Sequence, residues 1–287
     1  MALGTAQFGL NYGIVNQRGQ VCISEASSII RTSRDLGINT LDTAIGYGDS
    51  EQLLGRIGVG NWRVVSKLPA IPNEFIDNPK PWIKEVIDGS LKRLNTPVLY
   101  ALLLHRPEQL LGEKGALIFR ELQRLKDDGL VVKIGVSVYS PEELESLCEK
   151  YDFDIVQVPF NIFDRRLIAT DWLNRMVRLG IEIHVRSVFL QGLLLANVNS
   201  RPKKFLEWNS LWAVWDDWLV SSKQSPLETC LNYVLSFPQV SQVIFGVDSF
   251  QQFKEITSAV NRPIPALFPE IKTNDLRLLN PAHWPFL

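Results

Sequence analysis

From end to end, the chain alternates short runs of β-branched and aliphatic residues with stretches whose apolar positions recur every three or four residues. The runs INTLD, WRVVSK, VLYALLL, VVKIGVS, DIVQV, IEIHVRS and SQVIFG read as strands, with GTAQFG near the start as the first of eight. Helical segments separate them. Ser24 is the expected N-cap of the first helix and Gly37 its stop. Asp49 or Ser50 opens a short helix through Leu54, closed by Gly55. A proline-started helix runs from about Trp82 to Leu94, and another from Ala116 to Lys126 stops at Asp127-Asp128-Gly129. Ser140, with Glu143 three residues on, has the pattern of a capping box before PEELESLCEK. ATDWLNRMVRLG, two stretches near 204–221 and 226–236, and a last helix over 249–260 complete the series.

Strands that alternate with helices pair in parallel, because parallel neighbours need crossover connections. Eight such units in 287 residues favour a closed (β/α)8 barrel over an open doubly wound sheet. No linker or change of composition marks a boundary, so residues 1–287 read as a single domain, with 262–287 as a proline-rich C-terminal tail. Short loops after strands one, four and seven suggest an open mouth. Trp208, Trp212, Trp215 and Trp218 recur at helical spacing and read as the apolar stripe of a helix packed on the barrel, the other reading being a ring-lined substrate pocket.

Composition adds bounds rather than detail. With 46% hydrophobic and 21% charged residues the chain has the balance of a globular protein, which excludes disorder as the default. A formal net charge of −1 gives no electrostatic reason to expect nucleic acid or an anionic membrane as partner. Cys22, Cys148 and Cys230 form no CxxC pair, which disfavours a disulfide framework and suits a reducing cytoplasm. There is neither a charged and apolar leader pattern nor an apolar run of about 18 residues, so the expectation is a cytoplasmic protein. The three histidines show no metal-ligand spacing, and nothing in the sequence speaks to oligomeric state.

Asp42, Tyr47, Lys67 and His105 stand out against this background, in the contexts LDTAIGYGDSEQLLG, RVVSKLP and LYALLLHRP. Each follows an apolar run, so each belongs at the carboxyl end of a strand, where barrels of this kind carry their chemistry. Together they make a proton-transfer site. A phenol titrates near pH 10, and a neighbouring ammonium lowers that value. Lys67 can supply the ammonium, Asp42 can hold it charged, and His105 can orient a carbonyl oxygen while Tyr47 gives up its proton. No side chain provides hydride, so a nicotinamide cofactor is implied. Neither G-x-G-x-x-G nor G-x-x-x-x-G-K-[ST] occurs in a binding context, which disfavours Rossmann and P-loop binding.

The four motifs, their order and their contexts resemble the aldo-keto reductase family over nearly the whole chain. The resemblance implies NAD(P)H-dependent reduction of an aldehyde, ketone or sugar-derived carbonyl, a small-molecule substrate. It also implies that NADP or NAD lies across the barrel mouth. The matching positions are Gly4 and Thr5 in the first strand, Ser137 and Gln157 beside the nicotinamide amide, and Arg186 to Gly192 in RSVFLQG. Within that last motif Ser187, Phe189, Leu190 and Gly192 would face the pyrophosphate; Gly246, Gln252 and Glu255 would lie near the adenosine. Three positions depart from the family's usual pattern. Val138 follows Ser137 where an asparagine is common, and Arg186 replaces an aromatic ring that many members set against the nicotinamide. The basic pair that often grips the 2′-phosphate of NADP appears as Gly246 and Gln252. NADPH is therefore only slightly favoured, and Arg186 can meet the cofactor, an acidic substrate, or both. The alternative the departures leave open is a weakly active or inactive dinucleotide-binding regulatory protein on the same fold.

Overall fold

The computed structural model describes residues 1–260 and 267–286. Eight parallel strands close into a barrel in sequence order: β1 (Ala2–Gly4), β2 (Thr40–Asp42), β3 (Arg63–Leu68), β4 (Leu99–Leu104), β5 (Val131–Ser137), β6 (Ile155–Pro159), β7 (Glu182–Arg186) and β8 (Gln242–Gly246). The ring closes where Ala2, Leu3 and Gly4 pair with Ile244, Phe245 and Gly246. Helices cover the outside, which is why most strand positions are buried on both faces and the runs read as continuously apolar.

Two cores result. A large shell between strands and helices includes Leu102, Leu104, Ile87 and Ile118, while Val65, Ala101, Leu103 and Ile155 form a separate small cluster inside the barrel. Strand alternation then decides where the polar residues go. Lys67 shares the face of Val65, His105 that of Ala101 and Leu103, and Gln157 that of Ile155, so all three point inward at the carboxyl end, above the apolar plug.

Several boundaries differ from the sequence reading. β1 is confined to Ala2–Gly4, and Ala6–Gly9 is a helical turn: Thr5 donates its N–H to the Asp42 carbonyl (2.9 Å) and its own carbonyl accepts from Phe8 (3.0 Å), so the chain curls as the ladder ends. The first long helix, Ile23–Asp35, begins after Cys22 rather than Ser24. The helix Ser50–Ile57 runs through Gly55 and stops at Gly58, whose φ is +92°. A Cβ at Gly55 would lie 1.9 Å from the Arg93 carbonyl oxygen, so that glycine permits two helices to touch and is not a stop. The capping box is half formed: Glu143 accepts the Tyr139 N–H (2.9 Å), but the Ser140 side chain makes no cap. Left-handed Asp171 (φ 57°) splits the next helical stretch into Arg166–Ala169 and Trp172–Arg178. The stretch near 204–221 is a 3-10 segment, Lys203–Trp208, followed by the helix Asn209–Ser222.

The segments after β1 and β7 are long, contrary to the open mouth expected. They reach the helices Ile23–Asp35 and Asn209–Ser222, respectively, and meet over the barrel. A Cβ at Gly192 would come within 2.3 Å of Val15, and its φ of +87° suits glycine. Trp208, Trp212 and Trp215 are buried and Trp218 packs beside them, as a stripe would. Of the tail, 262–266 and 287 lie outside the described residues. Phe268 lies edge-on to Tyr233 and Thr273 donates its N–H to the Phe163 carbonyl (3.2 Å), while further on Trp284 is edge-on to Phe205 and Trp208 donates to Asp275 (3.1 Å). Among the described residues no helix is long and apolar enough to cross a membrane.

Candidate active site

At the carboxyl end of the barrel, one buried network joins four strands. Lys67 donates to Asp42 (Nζ–Oδ1 2.7 Å) and to the Thr43 carbonyl (2.8 Å), with Lys67 1% and Asp42 4% exposed. The second carboxylate oxygen accepts from Gln157 Nε2 at 2.6 Å. This contact fixes the amide's orientation, because a carboxylate only accepts. Gln157 Oε1 then takes a long contact from Ser137 Oγ (3.4 Å). Thr5 Oγ1 donates to the Asp42 carbonyl (3.0 Å) and accepts from Ser50 Oγ (2.9 Å), which pins the backbone that carries the carboxylate.

Tyr47 and His105 stand above this network with their rings edge to face at 6.2 Å, and Lys67 Nζ lies 5.0 Å from the Tyr47 ring centre. Among the described residues neither the Tyr47 hydroxyl nor the His105 ring has a hydrogen-bond partner. Burial first, then the Asp42 charge, pushes the Tyr47 phenol above its ordinary range, while Arg186 pulls it back. Lys67, 5.0 Å from the Tyr47 ring centre, is itself paired with Asp42 at 2.7 Å. Burial lowers Lys67 itself, against the pull of Asp42. His105 is brought down to about 4 by burial, then by Lys67 and Arg186, so its imidazole is neutral near pH 7. The site thus holds a protonated phenol and a neutral imidazole side by side.

A cavity of about 310 Å³ opens over them and extends to the start of the helix Phe250–Ala259. Of the positions expected to face a cofactor, Gly4, Thr5, Ser137, Gln157, Arg186, Ser187, Phe189, Gly192, Gly246 and Gln252 line it. Three expected residues do not line it. Lys67 lies below the surface, Leu190 is fully buried behind its loop, and Glu255 lies on the outer surface bonded to Gln251 (2.8 Å). The cavity wall also holds Gln7, Tyr12, Tyr139, Gln191 and Asp248, which the sequence reading did not single out. Tyr139 could have been found, since it directly follows Ser137-Val138; Tyr12 and Gln191 sit in loops without periodicity.

The donor set fits a dinucleotide. Ser187, Leu190 and Gln191 have φ of 61°, 48° and 54°, a rare run for residues with side chains. The N–H groups of Leu190 and Gly192 close onto the Ser187 and Phe189 carbonyls (both 2.9 Å), whereas those of Val188, Phe189 and Gln191 have no acceptor among the described residues. Unclaimed N–H groups around left-handed backbone make a cradle for phosphate oxygens. At the far end, Gln252 accepts the Asp248 N–H (2.8 Å).

The parallel eight-stranded barrel thus gathers Asp42, Lys67, Tyr47 and His105 at its carboxyl end, beneath a cavity of about 310 Å³. The model of the aldo/keto reductase family matches residues 1–268, and the chain belongs to that family. It is similar to the Bacillus subtilis (strain 168) protein named "Uncharacterized oxidoreductase YqkF", at 25% identity over 86% of this chain and 88% of the relative. It is also similar to the Oryza sativa subsp. japonica protein named "Probable voltage-gated potassium channel subunit beta", at 26% over 91% and 90%. The solved structure of aldo-keto reductase AKR11C1 from Bacillus halodurans, in its holo form, shares the fold with a TM-score of 0.71 at 22% identity, covering 93% of this chain and 88% of that one.

Proposed function

We propose that the chain reduces a small aldehyde, ketone or sugar-derived carbonyl, with Tyr47 as the proton donor and a reduced nicotinamide dinucleotide as partner. The observation that carries this reading is the division within the network. Asp42, Lys67 and Gln157 are committed to one another, while Tyr47 and His105 face the cavity uncommitted. The cofactor, when bound, supplies hydride to the carbonyl carbon. The 187–192 loop would hold its phosphates, Ser137 and Gln157 would flank its reactive end, and Gly246, Asp248 and Gln252 its adenosine end. Neutral His105 donates an N–H to the carbonyl oxygen and orients it. Tyr47 then passes its proton to that oxygen, the phenolic O–H breaking as the alcohol O–H forms, and regains a proton from water. Both reduced cofactors should be assayed against a carbonyl panel. Turnover by wild type with a Tyr47→Phe variant equally active would sink the mechanism.

Cofactor choice follows from the far end of the cavity. Asp248 carries a carboxylate there, and Arg186 is the one Lys or Arg among the described lining residues. A charge-assisted contact to a 2′-phosphate is worth roughly 1.5–3 kcal/mol, or about tenfold to a hundredfold. Without it, NADH should bind as tightly as NADPH or more tightly in a fluorescence titration. A thousandfold preference for NADPH would show that another basic group, such as Lys254, is recruited. Unpaired Cys22, Cys148 and Cys230 support a reducing cytoplasmic setting.

A second reading, a dinucleotide-binding regulatory chain without turnover, rests on Val138, on Arg186 and on the relative named as a channel subunit beta. Tight cofactor binding with no carbonyl reduced would favour it.

A further inference from the structure

Arg186 ends β7 on the same face as Glu182 and His184, and so points into the barrel mouth. Its guanidinium is anchored along one side. Nη2 donates to the Val138 carbonyl (3.0 Å), Nη1 to Ser187 Oγ (3.3 Å), and the group lies 4.5 Å from the centre of the Tyr139 ring. A guanidinium carries five donors in a fixed fork, and those remaining have no acceptor among the described residues. No carboxylate of the described residues pairs with it. Asp42, the acid at this end of the cavity, is already bound to Lys67 and Gln157. The positive charge stands at the end of the cavity lined by Tyr12, Tyr47 and His105. The phosphate cradle, by contrast, is built from backbone N–H groups of the next loop.

An anchored arginine with open donors and no acid partner, in a concave site, is built to receive a planar anion. We propose that Arg186 is the specificity-determining residue for substrates that carry a carboxylate near the reacting carbonyl, with Tyr139 as its platform. The inference rests on the reductase reading for the reaction, but not for the binding.

The test therefore has a binding arm and a kinetic arm. Benzoate, oxamate and gluconate, with benzamide as neutral control, are titrated by calorimetry into protein saturated with reduced cofactor, for wild type, Arg186→Met and Arg186→Lys. Melting curves confirm that the variants fold. At least one carboxylate should bind wild type, weaken tenfold or more in Arg186→Met, and recover in part in Arg186→Lys, with benzamide unaffected. In the kinetic arm, kcat/KM for 4-formylbenzoate should exceed that for its methyl ester at least tenfold in wild type and fall to near parity in Arg186→Met. If neither aldehyde is reduced, the titrations alone decide the anion site. Absence of carboxylate binding to wild type, or equal binding to Arg186→Met, overturns the proposal. So does a tenfold loss of cofactor affinity in Arg186→Met with carboxylate binding intact, which would assign the guanidinium to the cofactor.

Discussion

At the carboxyl end of the barrel stand Asp42, Lys67, Tyr47 and His105; at the amino end stand Glu182, Lys133, Tyr100 and His184. The residue types match, but their bonding does not. At the amino end a single carboxylate binds everything around it. Glu182 accepts from the Tyr100 hydroxyl (2.7 Å), from His184 Nε2 (2.7 Å) and from Lys133. Burial alone would raise that carboxyl, but hydrogen bonds from His184, Lys133 and Tyr100 outweigh it and bring the group down to about 2. At the carboxyl end the acid is divided between Lys67 and Gln157, and the phenol and imidazole are left facing a cavity. The difference lies in what each network leaves facing open space: at the carboxyl end a phenol and an imidazole line a cavity, whereas at the amino end the phenol, the amine and one imidazole nitrogen are all bound to Glu182 and only His184 Nδ1 lacks a partner.

Removing the lysines should show the largest difference. Lys67→Met leaves the buried Asp42 carboxylate without its cation and with Gln157 as its remaining side-chain donor, at a cost of roughly 3–5 kcal/mol of stability, and should also depress reduction near neutrality. Lys133 is partly exposed and Glu182 keeps two other partners, so Lys133→Met should cost less and leave kcat within about twofold. Denaturant titration and steady-state rates on both variants check this; equal costs would erase the distinction between the two ends.

Acid unfolding separates them next. His105 has a folded value near 4, below its ordinary 6.5, so the unfolded chain takes up the proton first as pH falls. Its contribution is present above pH 6.5 and lost between there and about 4. Glu182 is depressed from 4.5 to about 2, so its contribution is present above 4.5 and lost towards 2. His105→Phe should remove the upper limb of the stability–pH curve and Glu182→Gln the lower limb. Stability measured from pH 2 to 8 would contradict the assignment if either variant retained its limb.

The smallest effect concerns Arg186. Its charge lowers the Tyr47 phenol, so Arg186→Met should move alcohol oxidation, which uses the phenolate, to higher pH. An unmoved profile would mean that the guanidinium does not act on Tyr47.

The rim was legible in the sequence because Asp42, Lys67 and His105 each close an apolar run, and strand alternation does the rest. The network at the amino end was not, since Tyr100 and Lys133 lie 82 and 49 positions from Glu182 and only barrel closure brings them together. Tyr12 and Gln191 were equally hidden. They reach the cavity through loops whose path is set by contacts such as Gly192 against Val15, which leave no period to read. Gly55 misled for a related reason: a glycine chosen for helix contact looks, in sequence, like one chosen to end a helix.

In the proposed reaction the unpartnered phenol at the carboxyl end, and not its bonded counterpart, donates the proton. Single-turnover reduction at saturating cofactor, measured for Tyr47→Phe and Tyr100→Phe in parallel, tests it most directly. Tyr47→Phe should lose about 10²–10⁴ in rate with cofactor affinity preserved, and Tyr100→Phe should change within about twofold. Equal rates in the two variants, or a greater loss in Tyr100→Phe, would contradict it.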